Sequence, residues 1–183
     1  MATDPSSESG IEGTRQLLGE AYVHRAHLDR LSNQTGSDGE KQLIDSMDDL
    51  IPRPKGDALK VLLTELERTG ISIAKTSFDA ILLPSGRHVD FGDIQDLRES
   101  LSEMTFVEIK STKKTSVKED FSGYFFSLTE KEIDAAQQLG PRHIVLLHNT
   151  LTGHFLQTSV SELAQRSRST TWQVSVQLGP LTC

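Results

Sequence analysis

A single cysteine stands in the 183 residues, at Cys183. One thiol excludes an intramolecular disulfide and any multi-cysteine zinc site, and it fits a reducing compartment. Aromatic residues make up only 5% of the chain and apolar residues 36%. That is sparse for a compact domain, so a polar, poorly ordered portion is expected beside a folded one. No apolar run approaches the roughly 20 residues that span a bilayer, so no membrane partner is expected. The opening Met1-Ala-Thr-Asp-Pro-Ser-Ser-Glu8 has neither the basic nor the apolar region of a secretory leader, and the expected location is cytoplasmic. An overall excess of positive charge is missing too: the formal net charge is −7.

That charge is unevenly spread. Residues 1–50 hold ten acids against four bases, whereas residues 51–183 hold 16 acids against 15 bases. Lys110, Lys113, Lys114 and Lys118 fall in one stretch without an acid among them. Local field governs an encounter with a polyanion more than total charge does, so this stretch is a candidate phosphate contact. The acidic N-terminal fifty residues are a candidate arm for a protein partner. No helix-turn-helix pattern or aromatic-interleaved basic stripe is visible.

Read in order, residues 1–13 are a disordered lead-in, and residues 14–54 form a helical extension with helices near 14–31 and 40–50. His24 and His27 lie close together on the first of these and read as inert surface residues. A helix over 57–69 follows, with Asp57 as its N-cap, Leu59, Leu62, Leu63 and Leu66 as its buried stripe, and Gly70 as its stop. Ile71–Ala74 and Ser77–Leu83 read as strands, Arg87–Phe91 as a returning hairpin arm, and the stretch from Gly92-Asp93 to Met104 as a polar helical turn. Phe106–Thr112 is a strand by its β-branched and aromatic content. A Lys-rich loop comes next, then the capping box Thr129-Glu-Lys-Glu132 opening a helix that stops at Gly140-Pro141. His143–His148 is apolar enough for a strand covered on both faces. His154–Thr158, a short helix capped by Ser159 or Ser161, and a strand over Trp172–Leu178 complete the chain. The expected fold is α/β, with a domain over residues 55–183. His148 and His154 flank a turn and read as polar edge residues.

Phe106-Val-Glu-Ile-Lys-Ser-Thr112 is the most informative segment. Glu108 and Lys110 are two apart, so on a strand both side chains leave the same face. Burying a carboxylate and an ammonium in an apolar strand has a desolvation cost that packing does not require. Asp79, among Phe78, Ala80, Ile81, Leu82 and Leu83, is a second carboxylate set in apolar surroundings. Asp90 and Asp93 are its rivals as the first acid.

An acid on one strand, then Glu108-Ile-Lys110 on the next, then a helix and a strand, resembles the PD-(D/E)xK nuclease superfamily and its restriction-endonuclease-like fold. The segment from Phe106 to Asn149 is also similar to uncharacterised prokaryotic domains of that superfamily that accompany restriction and anti-phage systems. The likeness covers about residues 57–158. Asp79 follows Phe78 rather than a proline, and 28 residues separate it from Glu108. The resemblance implies a mixed central sheet flanked by helices, and Mg²⁺-dependent hydrolysis of phosphodiester bonds in DNA, with Mn²⁺ as a substitute; RNA stays open as substrate. It implies that Asp79, Glu108 and the Ile109 carbonyl ligate the metal. Lys110 would then orient or help deprotonate the attacking water, with a pKa lowered by burial beside the metal. Lys113, Lys114 and Lys118 would hold backbone phosphates. A homodimer is implied, since one small domain carries one site and duplex cleavage needs two. A helix-borne glutamate ahead of the first strand is a common addition in this superfamily, for which Glu65 and Glu67 are the candidates. The rival reading is a catalytically inactive relative serving as a nucleic-acid-binding or scaffold subunit.

Overall fold

The computed structural model describes residues 37–169. The lead-in, the helix expected near 14–31, His24, His27, the strand expected at Trp172–Leu178 and Cys183 all lie outside the described residues. Within them the fold is α/β, a five-stranded mixed sheet flanked by helices.

The described chain opens in a helix over residues 37–46 (α1). It continues through β1 Leu50–Pro52, α2 Gly56–Arg68, β2 Ala80–Leu82, α3 Ile94–Ser100, β3 Thr105–Thr112, α4 Glu130–Leu139, β4 His143–Asn149, β5 Phe155–Thr158 and α5 Val160–Arg166. The strands lie side by side in chain order. β1–β2, β2–β3 and β4–β5 pair antiparallel, and β3–β4 pair parallel through the α4 crossover. A parallel pair needs such a crossover because the chain must return to the same end of the sheet.

β3 and β4 are the spine. Every residue of β4 is buried, and its Ile144-Val-Leu-Leu147 run is that of a strand covered on both faces. The period of two sorts β3 into two sets. Val107 and Ile109 join Ala80, Ile144, Leu146, Leu50 and the α1 residue Leu43 in one cluster. On the other face Phe106 packs with Ile81, Phe78 and the apolar stripes of α2, α3 and α4. Phe78 meets Phe106 edge to face at 5.0 Å, a favoured aromatic geometry. Farther along that same face, Val145 and Leu147 pack with Val117 and Phe121 in a third cluster.

Several expectations need correction. The helix expected at 40–50 ends at residue 46, and Leu50–Pro52 then pairs with β2 as the sheet's first strand. The sheet therefore starts inside the segment read as an N-terminal extension, ahead of residue 55, and α1 contributes Leu43 to the core. Lys55, not Asp57, is the N-cap of α2, and Asp57 sits in the first turn, where a carboxylate also suits the helix dipole. Gly70 does stop the helix, with φ +87° and its N–H donating to the Glu67 carbonyl. Ile71–Ala74 forms no strand: Ile71 and Ile73 anchor a loop onto the core. The strand expected over 77–83 is confined to Ala80–Leu82. Residues 87–91 form no hairpin arm, because Arg87 is tied to Asp96 and Ser100 of α3. Of the two serines offered as the α5 cap, it is Ser159 that closes a capping box, with Glu162.

Candidate active site

Strand pairing builds the site. Ala80 is opposite Val107 and Ile81 opposite Phe106, so the antiparallel register sets Asp79, the residue just before β2, across from Glu108. The Asp79 N–H donates to the Val107 carbonyl at 2.8 Å, and the Ile109 N–H donates to Asp79 Oδ2 at 2.9 Å. A carboxylate thus takes the ladder position that β2 vacates by starting late. Backbone polar groups alternate sides along a strand, so the Ile109 carbonyl faces the same edge as that of Val107. That edge is where the Asp79 carboxylate sits.

Asp79 is therefore the acid that meets Glu108 and its neighbour, and its rivals are engaged elsewhere. Asp93 caps α3, accepting from the N–H groups of Gln95 and Asp96, while Asp90 accepts from Gly92 N–H. Glu65 is committed to α3 through Arg98 at 2.8 Å, and Glu67 is exposed on α2. Neither joins the site. A glutamate on a helix ahead of the first strand does feel the charge of Asp79: Glu40 on α1. Its pKa is raised, by burial first and by Asp79 second, with Arg53 and Lys55 opposing.

Glu108 is 4% exposed. Its Oε1 accepts from Lys110 Nζ at 2.6 Å, and its Oε2 is buried without a hydrogen-bond partner. Burial, and then the nearby Asp79 charge, push its pKa up to about 9 despite the ammonium alongside. Asp79 is shifted in the same direction, again chiefly by burial. Two desolvated carboxylates side by side, one with a bare oxygen, make an incomplete electrostatic arrangement that a cation would complete.

Lys110 is held on two sides. Besides Glu108, its Nζ lies 3.2 and 3.3 Å from the two carboxylate oxygens of Glu132, in the first turn of α4. Burial alone would lower the pKa of this ammonium, but Glu108 and Glu132 outweigh it and the net shift is upward. Three contacts to carboxylate oxygens stabilise the charged form here, whereas the lowering expected of Lys110 is that of an ammonium beside a bound metal. Lys110 in this arrangement is a fixed cation and hydrogen-bond donor rather than a base.

Sequence reasoning missed Glu132 and Glu40 as neighbours of the site. Glu132 was visible only as the closing residue of a capping box, a role that it does fill: Thr129 N–H donates to Glu132 Oε2 at 2.7 Å. Lys113, Lys114 and Lys118 are exposed on the loop after β3. Tyr124 ties that loop back to the strand by donating to the Ser111 carbonyl at 2.7 Å. His148 is buried rather than at an edge, its Nδ1 lying 3.3 Å from the Gly39 carbonyl, whereas His154 is exposed and faces Glu119. Neither histidine reaches the carboxylates.

Among the described residues, no group of three or more His, Cys, Asp or Glu side chains is arranged to cage a metal ion. The donor set that does fit a hard divalent cation is smaller: the Asp79 carboxylate, the free Oε2 of Glu108 and the Ile109 carbonyl. Two carboxylates with a carbonyl suit Mg²⁺, which keeps several waters and requires few protein ligands. No helix among the described residues is long and apolar enough to cross a membrane. No family model, curated protein or solved structure matches this chain.

Proposed function

We propose that the chain is a Mg²⁺-dependent endonuclease of the PD-(D/E)xK type, hydrolysing phosphodiester bonds in DNA and working in restriction, defence or repair as a cytoplasmic homodimer. The observation that carries this reading is the meeting of Asp79 with the Glu108-Ile109-Lys110 segment across two paired strands, with Glu108 Oε2 buried and unpartnered. The two acids have 28 residues between them in sequence, yet the carboxylate of one accepts a hydrogen bond from the backbone beside the other. The restriction-endonuclease-like fold is the finer reading of this mixed sheet, supported by a β-meander, a helical crossover and a further parallel strand.

Phosphodiester hydrolysis needs a positioned water, charge neutralisation at the phosphate and help for the leaving oxygen. Bound Mg²⁺ supplies Lewis-acid polarisation and a water of lowered pKa. Asp79 and Glu108 hold that charge in place, and their burial keeps competing water away. Lys110, fixed as an ammonium, orients the attacking water through its N–H donors and offsets phosphate charge. The exposed Lys113, Lys114 and Lys118 contact the nucleic-acid backbone without reading bases.

The test is calorimetric titration with Mg²⁺ or Mn²⁺ alongside plasmid cleavage, for the wild type and Glu108→Ala. Binding and cleavage by the wild type, both lost in the variant, are expected. A wild type that binds no divalent cation sinks the proposal. One observation favours a second reading, a catalytically inactive relative acting as a nucleic-acid-binding or scaffold subunit. Lys110 is already neutralised by two carboxylates. Cation and DNA binding without cleavage would select that alternative.

A further inference from the structure

Lys110 and a cation would compete for the same carboxylate. Lys110 Nζ takes Glu108 Oε1 at 2.6 Å, and the free Oε2 belongs to the same group. As Glu108 turns toward a divalent charge, its hold on the ammonium weakens. A lysine with no other partner would either follow Glu108 and obstruct the cation, or leave for solvent.

Glu132 removes that dilemma. Both of its oxygens lie within 3.3 Å of Lys110 Nζ, and its carboxylate is buried. Its own position does not depend on the lysine, because Oε2 also accepts the Thr129 N–H at 2.7 Å and so closes the capping box of α4. The charges agree with this arrangement. Asp79, Glu108 and Glu132, when ionised, outnumber the Lys110 ammonium and the Arg53 guanidinium that acts on Asp79, a surplus of negative charge that a cation relieves.

We infer that Glu132 is a positioning residue: it anchors the Lys110 ammonium from the α4 side, so that Glu108 is free to take a divalent cation while Lys110 stays beside it. The inference rests on reading Asp79 and Glu108 as a cation site. It predicts that Glu132 acts on cation binding through Lys110 and not as a ligand. Glu132→Gln is the informative change, because glutamine at this position still completes the capping box and spares the helix.

The experiment is a double-mutant cycle on Mn²⁺ affinity, by calorimetry, with wild type, E132Q, K110M and K110M/E132Q, each first shown to be folded by metal-free thermal unfolding. If K110M does not fold, K110Q replaces it as the background. E132Q is expected to weaken Mn²⁺ binding about tenfold in the wild-type background and less than about threefold once Lys110 is gone, a coupling of the size seen for contacting charged residues. Equal losses in the two backgrounds would make Glu132 a ligand or a distant charge and overturn the inference, as would no loss in either. Failure of the underlying reading looks different: the wild type binds no Mn²⁺, or Glu108→Ala binds as well as the wild type, and the inference then falls with it.

Discussion

Glu108 is the residue on which most depends. Its carboxylate sits where desolvation and a neighbouring acid oppose ionisation, while Lys110 supports it through one oxygen only. Lys110 and Glu108 should therefore separate by readout. On the proposed function, replacing Lys110 with alanine removes the ammonium that would orient the attacking water and leaves both carboxylates, so cleavage should fall by about 10²–10³-fold, the usual loss on removing one such preorganised group. Mg²⁺ affinity should be retained or raised, because a competing positive charge has gone. A K110A protein that cuts within a few-fold of the wild type would exclude Lys110 from the chemistry.

At the scale of elements, α1 is held against β3 by closeness. A Cβ added to Gly39 would come within 2.5 Å of the Ser111 side chain, and the Gly39 carbonyl faces His148. Helix propensity alone says that Gly39→Ala should gain about 1 kcal/mol. Packing says the reverse: Ser111 is fixed on β3 and cannot yield, so a net loss of about 1–3 kcal/mol is expected by thermal or denaturant unfolding. A stabilised G39A would show that α1 is free to shift. The capping box of α4 is a second test. Thr129→Ala removes the acceptor for the Glu132 N–H and should cost about 1 kcal/mol, or about 2–4 °C in Tm for a chain of this length. These elements also show what could be read without coordinates. The box at Thr129–Glu132, the Gly70 stop and the fully buried β4 were legible because each rests on local chemistry or a continuous apolar run. The three-residue β1 was not, because a short segment ending in Pro52 resembles a helix terminus until β2 pairs with it. Ile71 and Ile73 alternate like a strand but have no ladder partner, so they serve as loop anchors. The Glu108–Lys110 pair was legible from its period of two. Glu132 was hidden because its local role already accounted for it, and Glu40 because only the folded chain brings α1 toward Asp79.

For the molecule as a whole, the site should be a source of instability that a cation relieves. In the folded protein burial and the Asp79 charge raise the pKa of Glu108 to about 9 from an ordinary value of 4.5, and Asp79 is shifted the same way. Across that interval the folded state binds more protons than the unfolded chain, so the stability of the metal-free protein must fall as pH rises. The buried His143 and His148 act with the opposite sign. Their pKa values are lowered from 6.5 by burial, so stability is lost as pH falls below that value. Lys110, raised above 10.5, stays charged in both states throughout and contributes no slope. The window from about pH 6.5 to 9 therefore isolates the carboxylates. In EDTA, the Tm of the wild type should decline across it, and Glu108→Gln, which cannot ionise, should flatten that decline. Mg²⁺ at about 100 times its Kd should add about 2.7 kcal/mol by mass action, or roughly 5–10 °C for a chain of 183 residues. At one fixed Mg²⁺ concentration the gain should be larger at pH 8.5 than at pH 6.5, since the cation displaces a proton that is harder to remove at the lower pH. A metal-free Tm that is flat or rising over this window, together with a Mg²⁺ effect equal at both ends, would mean that Glu108 is already ionised and satisfied. A Mg²⁺ effect absent at both ends would mean that the open oxygen of Glu108 holds no cation.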